Sequence, residues 1–197
     1  MKIQSAKFQT SAPSLDHCPG WMRREFAFVG RSNVGKSSMI NLLTNRNGLA
    51  KVSALPGKTQ MINFFVINDD WSLVDLPGYG FAKVTKDRKF GFSELIRDYI
   101  ERRENLAGVF VLVDSRLPPQ RIDLEFLEWL DGCGVRHVLV YTKADKVTPA
   151  KVRATVDLML AEIAKWRPEP PEVIVTSSKS GNGRVDVLRS ISRLLQS

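Results

Sequence analysis

Clustered metal-binding side chains are missing from this sequence. Its 197 residues include only two cysteines, Cys18 and Cys133, and two histidines, His17 and His137. Neither pair has ligand spacing, which argues against a zinc-stapled or disulfide-stapled domain and for a reduced, cytoplasmic protein. Both histidines are expected to be structural. Long apolar runs are also missing: none approaches the ~18 residues that span a bilayer. The opening Met1-Lys2-Ile3-Gln4-Ser5-Ala6-Lys7 has no signal-peptide core, and Leu195-Gln196-Ser197 has no lipidation signal. Stable membrane insertion is therefore not expected. Internal repeats and low-complexity stretches are absent too, and the length suits one domain.

Acidic residues are in deficit. Against 29 Lys and Arg stand 21 Asp and Glu, a net charge of +8. Such an excess favours a polyanionic partner, nucleic acid or an anionic membrane surface, although a basic surface can also serve solubility alone.

The most informative stretch is Gly30-Arg31-Ser32-Asn33-Val34-Gly35-Lys36-Ser37. It follows the apolar run Phe26-Ala27-Phe28-Val29 and opens a helix-compatible segment beginning Ser38-Met39-Ile40. Strand, glycine-rich turn and helix N-terminus is the order a phosphate cradle requires. Gly30 and Gly35 free the backbone to turn N–H groups inward, and the helix end adds unpaired donors and a positive dipole. Lys36 is placed to reach the β- and γ-phosphates, and the Ser37 hydroxyl to ligate Mg²⁺.

Alternating apolar runs and helical stripes follow. Residues 61–67 and 71–75 flank Asn68-Asp69-Asp70 in hairpin fashion, and 108–113, 138–141 and 173–175 read as buried strands. Helices are expected over about 35–45, 93–103, 120–132, 148–166 and 185–195, the third with Ile122, Phe126, Trp129 and Cys133 inward. The pattern predicts an α/β fold, a doubly wound and mostly parallel six-stranded sheet whose second strand is antiparallel. Residues 1–24 read as an N-terminal extension, with a short strand near 3–8, and 25–197 as the nucleotide-binding domain.

Further motifs fall where such a sheet delivers them to a nucleotide. Asp75-Leu76-Pro77-Gly78 ends the hairpin: Asp75 can hold Mg²⁺ through a water, and the Gly78 N–H can meet a γ-phosphate. Thr59, within Gly57-Lys58-Thr59, can complete the metal shell when that phosphate is present. In Thr142-Lys143-Ala144-Asp145, the carboxylate can accept from guanine N1–H and the exocyclic amine, a donor pair adenine lacks. The Lys143 stem can lie along the base. Thr176-Ser177-Ser178 can turn backbone N–H groups on the guanine O6.

This ordered set resembles the translation-factor-class GTPases, and within them the EngB (YihA/YsxC) family of the TrmE-Era-EngA-EngB-septin-like group. The resemblance spans about residues 25–195. Its marks are the run from Glu25 to Ser38, Pro56-Gly57-Lys58-Thr59-Gln60, Asp75-Leu76-Pro77-Gly78-Tyr79-Gly80 and Thr142-Lys143-Ala144-Asp145. It implies a GTPase of large-ribosomal-subunit assembly, needed for division and septation, with Mg²⁺ as cofactor and contacting rRNA and ribosomal proteins; a monomer is expected, although the sequence does not reveal oligomeric state. The nucleotide-binding residues it implies are 30–38, 57–61, 75–78, 142–145 and 176–178, Ser38 and Met61 included. Lys36, Thr59, Gly78 and Asn33 form the catalytic set, and Ser37, Thr59 and Asp75 the metal set.

Where Ras-like enzymes carry a water-positioning glutamine, this chain has Tyr79, so slow intrinsic turnover is expected. Asn33 stands where related enzymes ligate potassium; it can do that or simply stabilise the turn. Lys83, Lys86, Arg88 and Lys89, with Arg97, Arg102 and Arg103, form a basic group beside the second loop, and Lys179, Arg189 and Arg193 a second one. Two other readings stay open: a membrane- or septum-associated switch, and a nucleotide-binding scaffold with negligible hydrolysis.

Overall fold

Period-two alternation in the strands and capped, striped helices resolve into one mixed sheet covered on both faces. The computed structural model describes residues 1–51, 61–80 and 92–196. Among these it has β1 (Ala6–Ala12), β2 (Glu25–Gly30), α1 (Lys36–Thr44), β3 (Ile62–Ile67), β4 (Trp71–Asp75) and α2 (Glu94–Arg102). There follow β5 (Leu106–Asp114), α3 (Arg121–Gly132), β6 (His137–Thr142), α4 (Pro149–Ile163), β7 (Glu172–Val175) and α5 (Arg184–Gln196). The sheet order is β1-β3-β4-β2-β5-β6-β7. β3 pairs antiparallel with β1 and β4, and the other neighbours run parallel.

Alternation along the strands divides the core. Ala27 and Val29 of β2 join Val109, Val111 and Leu139 under α2, α3 and α4. Phe26 and Phe28 face the other way, with Phe110, Leu112 and Val140 under α1 and α5. Phe28 stacks on Phe110 at 5.0 Å between ring centroids.

Local chemistry sets the element ends. Ser93 and Thr148 accept from Ile96 N–H and Lys151 N–H as N-caps, each worth about 1 kcal/mol, and Pro149 starts α4 where no N–H is needed. The β3–β4 hairpin turns through Asn68 and Asp69, both with positive φ.

Among the described residues the sheet has seven strands rather than the expected six. The seventh comes from the N-terminal segment, and at residues 6–12 it starts later than the expected 3–8. Asn68 explains the shift: its side chain takes Gln4 N–H and Ser5 N–H and donates to Lys2 O, so residues 2–5 are spent on the hairpin turn. Residues 13–24 are tied in as well. Glu25, fully buried, accepts from Trp21, Tyr99 and Arg103, and Arg103 also donates to Pro19 O.

The inward stripe of α3 also departs from expectation. It is Asp123, Phe126, Leu127 and Leu130: of the expected set Phe126 is inward, whereas Ile122, Trp129 and Cys133 are not among the buried residues. Ile122 and Trp129 lie at its edge, partly buried.

Candidate functional site

β2 ends at Gly30, and the chain turns over at once. A Cβ on Gly30 would sit 2.6 Å from Leu112 O, so only glycine lets the turn lie this close to β5. Val34 N–H donates to Arg31 O at 3.2 Å, Asn33 has φ 62° and Gly35 φ 112°. Val34 is buried beneath the loop. Gly35 is the N-cap of α1 and offers no side chain to the first turn, which leaves the donors of Lys36, Ser37 and Ser38 for a ligand.

Two residues after β6 hold this loop from behind. The Thr142 hydroxyl lies 2.7 Å from Val34 O and 3.1 Å from Val113 O, and is placed to donate to either. Lys143, with φ 59°, donates through Nζ to Asn33 O at 2.7 Å and to Asp114 Oδ2 at 2.9 Å. Burial works to raise the Asp114 carboxyl, but the bonds from Arg116 and Lys143 outweigh it and hold it down at about 2.

Asp145 is exposed, and Ser177 Oγ donates to its Oδ1 at 2.6 Å. That bond, ahead of the nearby lysines, keeps the carboxyl below its usual range and ionised for donors on a base. The loop after β7 is occupied in part: Thr176 N–H donates to Tyr141 O at 2.6 Å and Ser177 N–H to Asn182 O at 3.1 Å. Of the three residues expected there, Ser178 is the exposed one.

From β4, Leu76 and Pro77 are buried. Gly78 lies against the cradle, where an added Cβ would be 3.2 Å from Ser32 N. Asp75 is 4% exposed, and its Oδ1 has no hydrogen-bond partner. Burial pushes its carboxyl up to about 6, against the pull of Lys36 and a hydrogen bond from Asn63. Burial likewise lowers the Lys36 ammonium, with Asp75 opposing. An orphaned carboxylate oxygen beside a half-buried lysine fits a hard cation arriving with phosphate. Among the described residues, no group of three or more His, Cys, Asp and Glu converges. An ion here would need oxygens from a nucleotide and water, as Mg²⁺ commonly does.

The structure thus brings 30–38, 75–78, 142–145 and 176–178 to the C-terminal edge of the parallel strands. Met61 is exposed before β3. Gly57, Lys58, Thr59 and Gln60 lie outside the described residues, as do Lys83, Lys86, Arg88 and Lys89. Tyr79 is not a surface residue: it is 2% exposed, stacked on Phe126 at 4.6 Å, with its hydroxyl donating to Asp123 Oδ1 at 2.9 Å.

A family model described as "50S ribosome-binding GTPase" matches residues 25–143. A probable GTP-binding protein EngB of Christiangramia forsetii is 48% identical over 188 residues, 95% of each chain. One from Bacteroides fragilis is 46% identical over 194 residues, 98% of this chain and 96% of its own. The chain belongs to the EngB family of GTP-binding proteins. As an EngB-family member it is a GTPase of the Ras-like P-loop class. A crystal structure of a probable GTP-binding protein engB shares the fold with a TM-score of 0.69, at 21% identity over 87% of this chain and 98% of that one. Era, crystallised with MgGDPNP and a segment of 16S ribosomal RNA, superposes with a TM-score of 0.65 at 22% identity, covering 87% of this chain and 56% of its own.

Several supports of this EngB-type site escape motif reading. Asp114 sits in no recognisable pattern. Asn63 looks like one polar residue in a strand, and Arg184 like a helix-surface cation. Only Asp123 carries a signal, an acid in the first turn after Pro118-Pro119, and that signal reads as helix capping.

Proposed function

We propose that this chain is a GTP-dependent switch in late assembly of the large ribosomal subunit, needed for normal division and septation. The observation that carries the reading is the convergence of the phosphate cradle, Gly78 and the Ser177-oriented Asp145 at one edge of the sheet. The matching family description, the net charge of +8 and the rRNA-bound Era neighbour support a ribosomal partner.

In this reading Asp145 accepts from guanine, Lys143 lies along the base, and the Ser178 N–H serves O6. Lys36 and the donors of 35–38 hold the β- and γ-phosphates, and the Gly78 N–H meets the terminal phosphate. Ser37, Thr59 and Asp75, the last through water, would hold Mg²⁺. When bound, the ion neutralises charge that accumulates on the phosphate oxygens. The Asp75 carboxylate would offer its unpartnered Oδ1 toward that ion, with Lys36 beside it. Tyr79 supplies no amide for the attacking water, so intrinsic turnover by the monomer is slow, and the ribosomal particle supplies what is missing. The exposed Asn33 is the residue through which potassium would act. Equal turnover in KCl and NaCl at matched ionic strength would leave it with the turn alone.

Gradient co-sedimentation with ribosomal subunits in GTP, GDP and a non-hydrolysable analogue tests the proposal. Nucleotide-dependent comigration with the large subunit is expected. Nucleotide-independent comigration, or preference for anionic vesicles, would overturn it. Phosphate release without acceleration by subunits would instead favour a scaffold.

A further inference from the structure

A buried acid on α3 has no part in reading the nucleotide. Asp123 is 4% exposed, among Phe126, Leu127 and Leu130, where an apolar side chain would cost nothing in desolvation. It is the third residue of α3, where unpaired N–H groups favour a carboxylate, but burial still pushes its carboxyl up to about 6. Among the described residues, three groups face it: the Tyr79 hydroxyl at 2.9 Å, the Arg31 guanidinium acting through its charge, and Tyr141, whose hydroxyl burial and this carboxylate push upward.

The pair is wired to the cradle through Tyr79. The Tyr79 N–H donates to Gly30 O at 3.2 Å, and Tyr79 forms an isolated parallel bridge with Arg31. One residue earlier, Gly78 is in near contact with the Ser32 backbone. One residue later, Gly80 has φ 81°, with Arg31 Nε within 3.9 Å of an added Cβ. The Tyr79 ring is thus packed on α3 while its backbone is bonded to the start of the phosphate cradle.

We propose that Asp123 is a positioning residue for the triphosphate: by holding the Tyr79 hydroxyl it keeps Gly78 at the height where its N–H meets a terminal phosphate. The inference rests on the GTP-switch reading above. It explains why a costly carboxyl is kept where apolar packing was available. It also separates two nucleotides: a diphosphate needs only the cradle and the guanine loops, whereas a triphosphate needs Gly78 as well. Loss of Asp123 therefore falls on the triphosphate alone. A cavity of about 180 Å³ is bordered by Arg31, Asn33, Asp123, Tyr141 and Lys143.

Equilibrium binding of fluorescent GDP and of a fluorescent non-hydrolysable GTP analogue, both with Mg²⁺, tests this in wild type, D123L, D123N, Y79F and Y79F/D123L. D123L is expected to weaken the analogue by about tenfold, the scale of one lost hydrogen bond to a charged group, and GDP by less than about twofold. D123N keeps an oxygen that accepts from Tyr79 and retains most of the triphosphate preference. It also serves as the informative variant if D123L does not fold. Y79F and D123L share one interaction, so their effects on the analogue fall short of additive. Equal weakening of both nucleotides, or of neither, overturns the assignment. Failure of the wild type to bind either guanine nucleotide would sink the GTP-switch reading instead, before Asp123 is compared.

Discussion

Ser11 donates its hydroxyl to Asn63 Oδ1 at 2.6 Å, across the β1–β3 ladder. Asn63 lies opposite Asp75 on β4 and hydrogen-bonds its carboxyl. A three-strand chain thus runs from the N-terminal edge strand to the carboxylate expected to hold Mg²⁺. Groups behind a metal-holding residue set its orientation, and their loss commonly costs about 10-fold or more in metal affinity. N63L is expected to raise the Mg²⁺ concentration needed for tight GDP binding by about that factor. S11A should move it less, at a stability cost of about 1 kcal/mol. A magnesium titration of fluorescent GDP release measures both.

Asp145 should decide which base is bound. In D145N, an amide group that donates faces the guanine donors, while the oxygen can still take the Ser177 hydroxyl. GDP affinity is expected to fall by about 10²-fold or more, because buried donors on the base lose their acceptor. Xanthine, with a carbonyl where guanine has its amine, should become the preferred base. Competition between GDP and XDP checks the prediction, and unchanged preference would contradict it.

Arg184 on α5 donates through Nε to Leu42 O at 2.9 Å and through a terminal nitrogen to Leu43 O at 2.8 Å. These are last-turn carbonyls of α1, where a cation also suits the helix dipole. Gly183, just before it, has φ 76°, and an added Cβ would run into Val175 O. R184M should destabilise the fold by about 2–3 kcal/mol, readable as a lower urea midpoint and a melting temperature down by about 4–10 °C. A change within error would mean that water replaces both bonds.

The pH dependence of stability carries the signature of Asp123. Its carboxyl titrates in the folded state at about 6, above the ordinary value of 3.8, because burial disfavours the charge. The folded state therefore binds the proton more tightly than the unfolded one. The stability this gives is fully present below about pH 4 and is lost as pH rises through 6. D123N cannot titrate. Wild type minus D123N in unfolding free energy should fall by on the order of 2–3 kcal/mol between pH 4 and 7 and stay level above. A flat difference would mean that Asp123 ionises normally.

The phosphate cradle, the Asp75 and Asp145 motifs and nearly every helix were legible because each depends on local rules. A glycine turn before a helix, a cap such as Thr148 before Pro149, and apolar alternation in a strand all act within a few residues. Period alone failed on α3. A helical stripe scored by hydrophobicity places Ile122 inward and Asp123 at the surface, whereas the hydroxyl of Tyr79, 44 residues earlier in the chain, meets a buried Asp123 and leaves Ile122 at the edge of the core. The seventh strand was misplaced for a similar reason. Residues 6–12 are a strand through pairing with β3, and their start is set by Asn68 gripping residues 2–5.

By itself the sequence determined the fold class and the nucleotide class and marked candidate residues for the ligand, since these follow from backbone freedom, periodicity and the donor and acceptor chemistry of single side chains. Only the tertiary structure decided what stands behind them: Ser11 and Asn63 behind Asp75, Thr142 and Lys143 behind the cradle, Asp123 beneath Tyr79 and Arg184 closing α1. These contacts join residues far apart in the chain. Their partners come together only when hydrophobic burial has already assembled the sheet and its helices, and no local pattern encodes them.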